Sequence, residues 1–186
     1  AVIPKAVSHS VLTVQKNGNK TCIYLIGGRK KNKTGISDLY NSAFEFNIKK
    51  NQWEEKNALP YALSAGTGIA TNPNEILIFG GDKGTTFHQV EMLIASINAE
   101  KDETKKQELI LQKNKLQSEH PGFSKEVLLY NTLTDSWKTV GTIPFETPVT
   151  TTAVKWGNEV IIPSGEIKAG VRSPKILSVK ILQKEK

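Results

Sequence analysis

The chain has 186 residues, 38% of them hydrophobic, and 25 Lys and Arg against 18 Asp and Glu give a net charge of +7; this is the composition of about one globular domain. Its longest apolar runs, Ile23–Ile26 and Ile76–Phe79, are strand-sized and far short of the roughly 20 residues of a membrane-crossing helix, so no membrane insertion is expected. The single cysteine, Cys22, excludes internal disulfides and cysteine-cluster metal sites.

In chain order, Ala1 to Ser10 lacks a charged region followed by an apolar one and does not read as a leader. A strand is expected from about His9 to Gln15, then CIYLIGGR, Cys22 to Arg29, with Cys22 a small core hydrophobe. The basic cluster Arg29, Lys30, Lys31 and Lys33 lacks interleaved aromatics and a reading helix, so it reads as a solvated loop and no nucleic-acid partner is expected. SAFEFNI, Ser42 to Ile48, and Trp53 complete a first unit.

A second unit repeats it: SAGTGIAT from Ser64, NEILIFGGD from Asn74 to Asp82, EVLLYNT from Glu126, and Trp137. FEFNIKKNQW and LLYNTLTDSW align without a gap, setting Phe46 on Tyr130 and Trp53 on Trp137, with Pro60 and Pro144 seven residues after each Trp. The third unit holds VTTTAVKW from Val149, NEVIIPSGE from Asn158 to Glu166, and KILSVKI from Lys175; its Trp is expected at position 186, which is Lys186. Four short strands per unit with glycine punctuation predict an all-β fold, the blades of a β-propeller. The blades are expected at about 8–58, 60–142 and 145–186. Three blades cannot close a ring, since propellers have roughly 4 to 8. The chain therefore reads as half of a six-bladed ring, with the remaining strand and blades supplied by another segment or a second chain.

The second unit carries an insertion at 83–125. Met92, Leu93 and Ile97, then Leu109, Ile110 and Gln112 to Leu116, fit two short helices, with Thr104 and Gln107 spaced as a capping box and Pro121–Gly122 ending the second. Two readings stand: a surface helical hairpin, or a cap beside a pocket.

The residue after each small-residue turn recurs from blade to blade as Arg29, Asp82 and Glu166, so these three are expected on one face of the ring. Only Arg29 and Arg172 among the 25 basic residues are arginines, and arginine's planar fork suits a carboxylate or phosphate where lysine suits a solvated surface. Arg172 follows Glu166 by six residues, across Lys168 and Gly170. A carboxylate there can take a proton from a hydroxyl while the guanidinium grips an anion through two parallel hydrogen bonds. An exposed salt bridge between the two, worth about 0–1 kcal/mol, is the competing reading. His9, His88 and His120 share no ligand spacing, and no metal site is expected.

The repeats resemble kelch motifs. Together with the insertion after the second diglycine and the segment SGEIKAGVR, Ser164 to Arg172, they resemble the N-acetylneuraminate epimerase family, the sialic acid mutarotases, whose members carry a similar G-E-x-K-x-G-x-R segment in a six-bladed kelch propeller. The resemblance runs from the first diglycine strand through Ile181. It implies an isomerase that interconverts the anomers of an acidic sugar, N-acetylneuraminate, without metal or cofactor. Glu166 would be the proton acceptor and Arg172 the carboxylate clamp. By their turn and loop positions, Arg29, Asp82, Ser164 and Lys168 are substrate-binding candidates. A periplasmic or secreted location is implied, with the cytoplasm an alternative. Familiar members continue past this segment, whereas this chain ends about fourteen residues after Arg172, as a circularly permuted member would. The alternatives are a non-catalytic kelch module that binds a protein, and a sugar-binding or lyase-type propeller with the same anion grip. The loops Arg29 to Asp38 and Glu166 to Ser173 hold no aromatic hot spots, which favours a small polar ligand.

Overall fold

The computed structural model describes residues 1–181. The chain folds as three consecutive antiparallel sheets. In the first, β1 (Val11–Asn17), β2 (Lys20–Ile26), β5 (Ala43–Asn47) and β6 (Gln52–Lys56) lie in the order β1-β2-β5-β6, with the small hairpin β3 (Arg29–Lys31) and β4 (Ser37–Leu39) set between β2 and β5. The second has the same order in β7 (Thr67–Ala70), β8 (Glu75–Phe79), β9 (Glu126–Asn131) and β10 (Ser136–Thr142). The third holds β11 (Val154–Trp156), β12 (Glu159–Lys168) and β13 (Val171–Lys180). These are three blades of a β-propeller. Lys186, where the repeat places the next tryptophan, lies outside the described residues.

Because side chains alternate across a strand, the middle blade buries both faces. Ile76, Ile78, Leu128 and Tyr130 pack with Cys22, Tyr24 and Ile26 of the first blade, while Leu77, Phe79 and Leu129 pack with Val160 and Ile162 of the third. This explains the unbroken apolar run of NEILIF, which a one-sided strand would not need. The aligned aromatics are cross-strand neighbours in both complete blades: Phe46 faces Trp53 at 5.0 Å between ring centroids, and Tyr130 stacks on Trp137 at 4.6 Å. Trp137 Nε1 also donates to the Asn57 carbonyl at 2.8 Å, tying one blade's outer strand to its neighbour.

The outward faces of the two end blades leave large apolar side chains exposed. Leu12 and Val14 on the first are 65% and 54% exposed, and Trp156 and Ile176 on the third are 77% and 67% exposed. In a propeller each such face packs against the next blade. A groove of ≈ 940 Å³ also runs between the middle blade and β13, lined by Leu77, Leu129, Leu177 and Val179.

One buried carboxylate interrupts the first interface. Glu45 in β5 occupies the place that Leu129 takes in the second blade, is almost fully buried, and accepts from Tyr24 Oη at 2.6 Å, Asn17 Nδ2 at 2.8 Å and Cys22 Sγ at 3.4 Å. Burial and, after it, the Glu45 charge push the Cys22 thiol up to about 11, so Cys22 is an inert core residue at neutral pH.

Each blade turns after its second strand with two positive-φ residues: Gly27 and Gly28, Gly80 and Gly81, Ser164 and Gly165. At Gly28, φ is +101° and an added Cβ would lie 2.4 Å from Val7 Cγ2 and 2.8 Å from the Ser8 carbonyl oxygen. Both strain and clash penalise a side chain there. Gly28→Ala is expected to cost about 1–3 kcal/mol and lower the thermal midpoint; an unchanged melt would show that this turn relaxes freely.

The insertion forms two antiparallel helices, α1 (Thr85–Ala99) and α2 (Glu103–Ser118). The capping box expected at Thr104 is not the cap. Asp102 is, its carboxylate accepting from the backbone of Thr104 and Lys105 at 2.9 and 3.1 Å, because a carboxylate one residue before the helix reaches the free first-turn N–H groups directly.

Candidate active site

The three turns build one repeated local structure. The residue after each turn forms a two-hydrogen-bond bridge with the segment entering the blade: Arg29 with Ser8, Asp82 with Ser64, Glu166 with Val149, at 2.7–3.0 Å. The next residue on each entering segment, His9, Ala65 and Thr150, has φ between 53° and 58°. These residues link blade to blade, Ala65 N–H donating to the His9 carbonyl at 2.8 Å and Thr150 N–H to the Ala65 carbonyl at 3.0 Å. Arg29, Asp82 and Glu166 thus occupy equivalent positions on one end of the propeller, one blade apart.

Their side chains have different surroundings. Asp82 Oδ1 accepts from Gly84 N at 2.7 Å and so launches the insertion. Ser164 adopts the conformation that glycine takes in the other two blades, and its Oγ donates to the Ser173 carbonyl at 2.8 Å, bracing the turn. Arg29 places its Nη2 3.3 Å from His9 Nε2 and its guanidinium carbon 4.3 Å from the Phe87 ring centroid. Partial removal from water and, second, the Arg29 charge hold the His9 imidazole below its ordinary range.

The segment GEIKAGVR is a tight hairpin rather than an open loop. β12 continues through the turn residues with a bulge at Ser164, reverses at Gly170 with φ +74°, and returns as β13. Glu166 and Arg172 are direct cross-strand partners and Lys168 faces Val171 across a second irregularity. Opposed residues have Cβ atoms about 4.5–5.5 Å apart on one face of the sheet. Glu166 is half-buried and Arg172 exposed. Glu166 Oε1 accepts from Gly170 N at 2.7 Å, which fixes the carboxylate, while Oε2 has no protein hydrogen-bond partner among the described residues. The salt bridge that the spacing allowed is not formed among the described residues, leaving a carboxylate and a guanidinium side by side and both available to a ligand. A small cavity of ≈ 350 Å³, lined by Phe145, Ile167, Ser173 and Lys175 among others, opens beside the hairpin and includes neither side chain.

The insertion rises from this same end. Its stem is closed by Lys83 at one side and Glu126 at the other, with Tyr61 Oη donating to Glu126 Oε2 at 2.7 Å and the Lys83 ammonium 3.8 Å from the Tyr61 ring centroid. Burial and the neighbouring Glu126 push the Tyr61 phenol up to about 12. Toward the first blade, Glu91 of α1 accepts from both Ser37 N and Ser37 Oγ at 2.7 Å. Toward the third, a Cβ added at Gly122 on the return leg would lie 3.6 Å from the Ile167 carbonyl oxygen. The helical hairpin is therefore fastened to the first blade at the end that carries Glu166 and Arg172. His9, Phe87 and Glu91 were not legible as parts of this end. Aligning SHS with SAG and VTT would have placed His9 on the repeated ring position, but nothing in the sequence pairs Phe87 or Glu91 with the first blade.

A family model described as N-acetylneuraminate epimerase matches residues 6–186. The chain is 28% identical over 151 residues to the N-acetylneuraminate epimerase of Haemophilus influenzae strain 86-028NP, covering 81% of this chain and 40% of that protein. It is 28% identical over 153 residues to that of Salmonella typhimurium, covering 81% and 39%. The chain thus spans about two fifths of the length of the curated relatives it matches. The solved structure of YjhT superposes with a TM-score of 0.79 at 19% identity, over 99% of this chain and 51% of that one, which establishes the same fold. With the family match running through all three blades and the GEIKAGVR hairpin, this chain belongs to the N-acetylneuraminate epimerase family.

Proposed function

We propose that this protein interconverts the α and β anomers of N-acetylneuraminate, with Glu166 as general base and Arg172 as the clamp on the sugar carboxylate. The observation that carries this reading is the cross-strand pairing of Glu166 with Arg172, unbridged and held by one short hairpin. The substrate's carboxylate is borne by its anomeric carbon. A guanidinium fork on that carboxylate sets the anomeric hydroxyl beside a base on the same hairpin face.

Glu166 takes the proton of the anomeric hydroxyl as the bond from the anomeric carbon to the ring oxygen breaks, and the ring oxygen gains a proton from water or from an acid on the blades that complete the ring. The open-chain 2-keto acid rotates, the ring oxygen attacks the other face of the carbonyl, and the two protons return. Protons gained and lost balance, so the reaction asks for no metal, cofactor or co-substrate. The reaction runs slowly in water, and a positioned base contributes on the order of 100- to 10,000-fold.

The exposed apolar side chains on the outward faces of the two end blades support a ring completed by further blades, six in all, from another segment or a second chain. The activity is accordingly tested on the protein with its ring complete. Starting from the pure α anomer, saturation-transfer NMR is expected to show exchange well above the buffer rate. A rate equal to that of buffer alone would sink the proposal.

A further inference from the structure

Arg29 is held unlike a surface arginine. The Phe87 ring covers its guanidinium at 4.3 Å, and Nη2 meets His9 Nε2 at 3.3 Å. Since that contact needs Nε2 as acceptor, the His9 proton sits on Nδ1, which donates to Ser8 Oγ at 3.1 Å. The Phe87 ring is itself fixed from below. Helix α1 is fastened to the β3–β4 hairpin by Glu91 on Ser37 and by His88 Nε2, which donates to the Ser37 carbonyl at 2.8 Å, with Glu91 and Ser37 both buried.

Despite this support, Arg29 makes no ion pair among the described residues, which hold all of the chain's 18 acidic side chains except Glu185. Arg172 makes none either. The only two arginines of the chain therefore stand unpaired at one end of the propeller, two blades apart. An arginine serving only to fasten α1 would be expected on a carboxylate or a carbonyl cluster. Here one face is taken by a ring and one N–H by an imidazole, leaving the other edge donors unspent. A guanidinium immobilised before binding loses little side-chain entropy when a ligand arrives.

We propose that Arg29 is a second substrate contact, gripping acceptor oxygens of the acidic sugar at the end away from its carboxylate, and that Phe87 and His9 are positioning residues through which the insertion sets substrate affinity. This rests on the assignment of Glu166 and Arg172 above. The anionic end goes to Arg172 beside the base, and the hydroxyl and amide oxygens of the far end go to Arg29. The insertion then acts as the affinity wall of the site, and the chemistry stays on the third blade.

The test uses the protein with its ring complete. Phe87→Leu keeps apolar volume and removes the aromatic face, Phe87→Tyr keeps that face, and Arg29→Met removes the donors. Calorimetric titration with N-acetylneuraminate gives Kd, and NMR exchange gives KM and kcat. Phe87→Leu is expected to raise Kd and KM about two- to fivefold, the fold-change of a partly exposed cation–π contact, with kcat within about twofold of the parent. Phe87→Tyr should restore the parent values, and Arg29→Met should raise Kd at least as far as Phe87→Leu. Unchanged Kd in Phe87→Leu and Arg29→Met, with the parent binding and exchanging, overturns the role of Arg29 alone. A parent that neither binds nor exchanges the sugar overturns the assignment of Glu166 and Arg172 together with it.

Discussion

Glu166→Gln is expected to lower the anomer exchange rate by roughly 100- to 10,000-fold while leaving the fold and the affinity for N-acetylneuraminate close to those of the parent. The substitution isolates the proton transfer. In the parent, Glu166 Oε1 accepts from Gly170 N at 2.7 Å, and a glutamine carbonyl oxygen can take the same hydrogen bond, so the hairpin keeps its cap. What glutamine cannot do is accept a proton from the anomeric hydroxyl. Arg172→Lys should produce the complementary pattern: the charge stays but the two-pronged grip is lost, raising KM on the order of tenfold. Exchange rates and Kd measured on both variants separate the roles. If Glu166→Gln exchanges at the parent's rate, the base lies elsewhere.

Glu45→Leu is expected to destabilise the protein by about 3 kcal/mol even though leucine is what the second blade carries at the equivalent position. Leu129 pairs with Leu77 on β8, where Glu45 pairs with Tyr24 on β2. Glu45 satisfies Tyr24 Oη, Asn17 Nδ2 and Cys22 Sγ and lies 4.0 Å from Lys56 Nζ. Replacing it strands those donors in the interface between the first two blades, and each buried donor without an acceptor costs about 1–3 kcal/mol. The repeat alignment alone would have called the change harmless.

The same carboxylate predicts an acid sensitivity. Burial pushes the Glu45 carboxyl up, but the hydrogen bonds from Tyr24 and Asn17 and the charge of Lys56 outweigh it, and the group sits below its ordinary value of 4.5. A folded-state value below the unfolded one stabilises the native state above about pH 4.5, and this is lost as pH falls through the folded value. Urea midpoints followed by tryptophan fluorescence should therefore show a gap between the parent and Glu45→Gln at pH 7 that narrows on acidification. A gap that is constant with pH would mean that the charge of Glu45 contributes nothing.

Much of this architecture is legible in the residues themselves because a blade is a local object. NEILIFGGD and NEVIIPSGE can be laid on each other since each is one strand followed by one turn. The positive φ of Ser164 matches that of Gly27 and Gly80 even where serine replaces glycine. The same alignment lines up Arg29, Asp82 and Glu166, which the three backbone bridges then place at equivalent positions. The helix cap lies two residues before Thr104, because Asp102 and Thr104 are both good capping types and only the backbone decides which one lies outside the helix.

The site's surroundings were not legible, for a physical reason. Phe87 on Arg29 and Glu91 on Ser37 join residues more than fifty positions apart, and the insertion has no repeat partner to align with. Likewise the six-residue spacing of Glu166 and Arg172 fits a loop, a salt bridge or a hairpin equally well. By itself, then, the sequence determined the blades, their turns and the three ring positions, since those follow from alternation and glycine conformation within short stretches. Only the tertiary structure decided which charges stand unpaired, that Glu166 and Arg172 face each other in register, and that a helix from the second blade presses on an arginine of the first, because packing between distant segments selects those contacts.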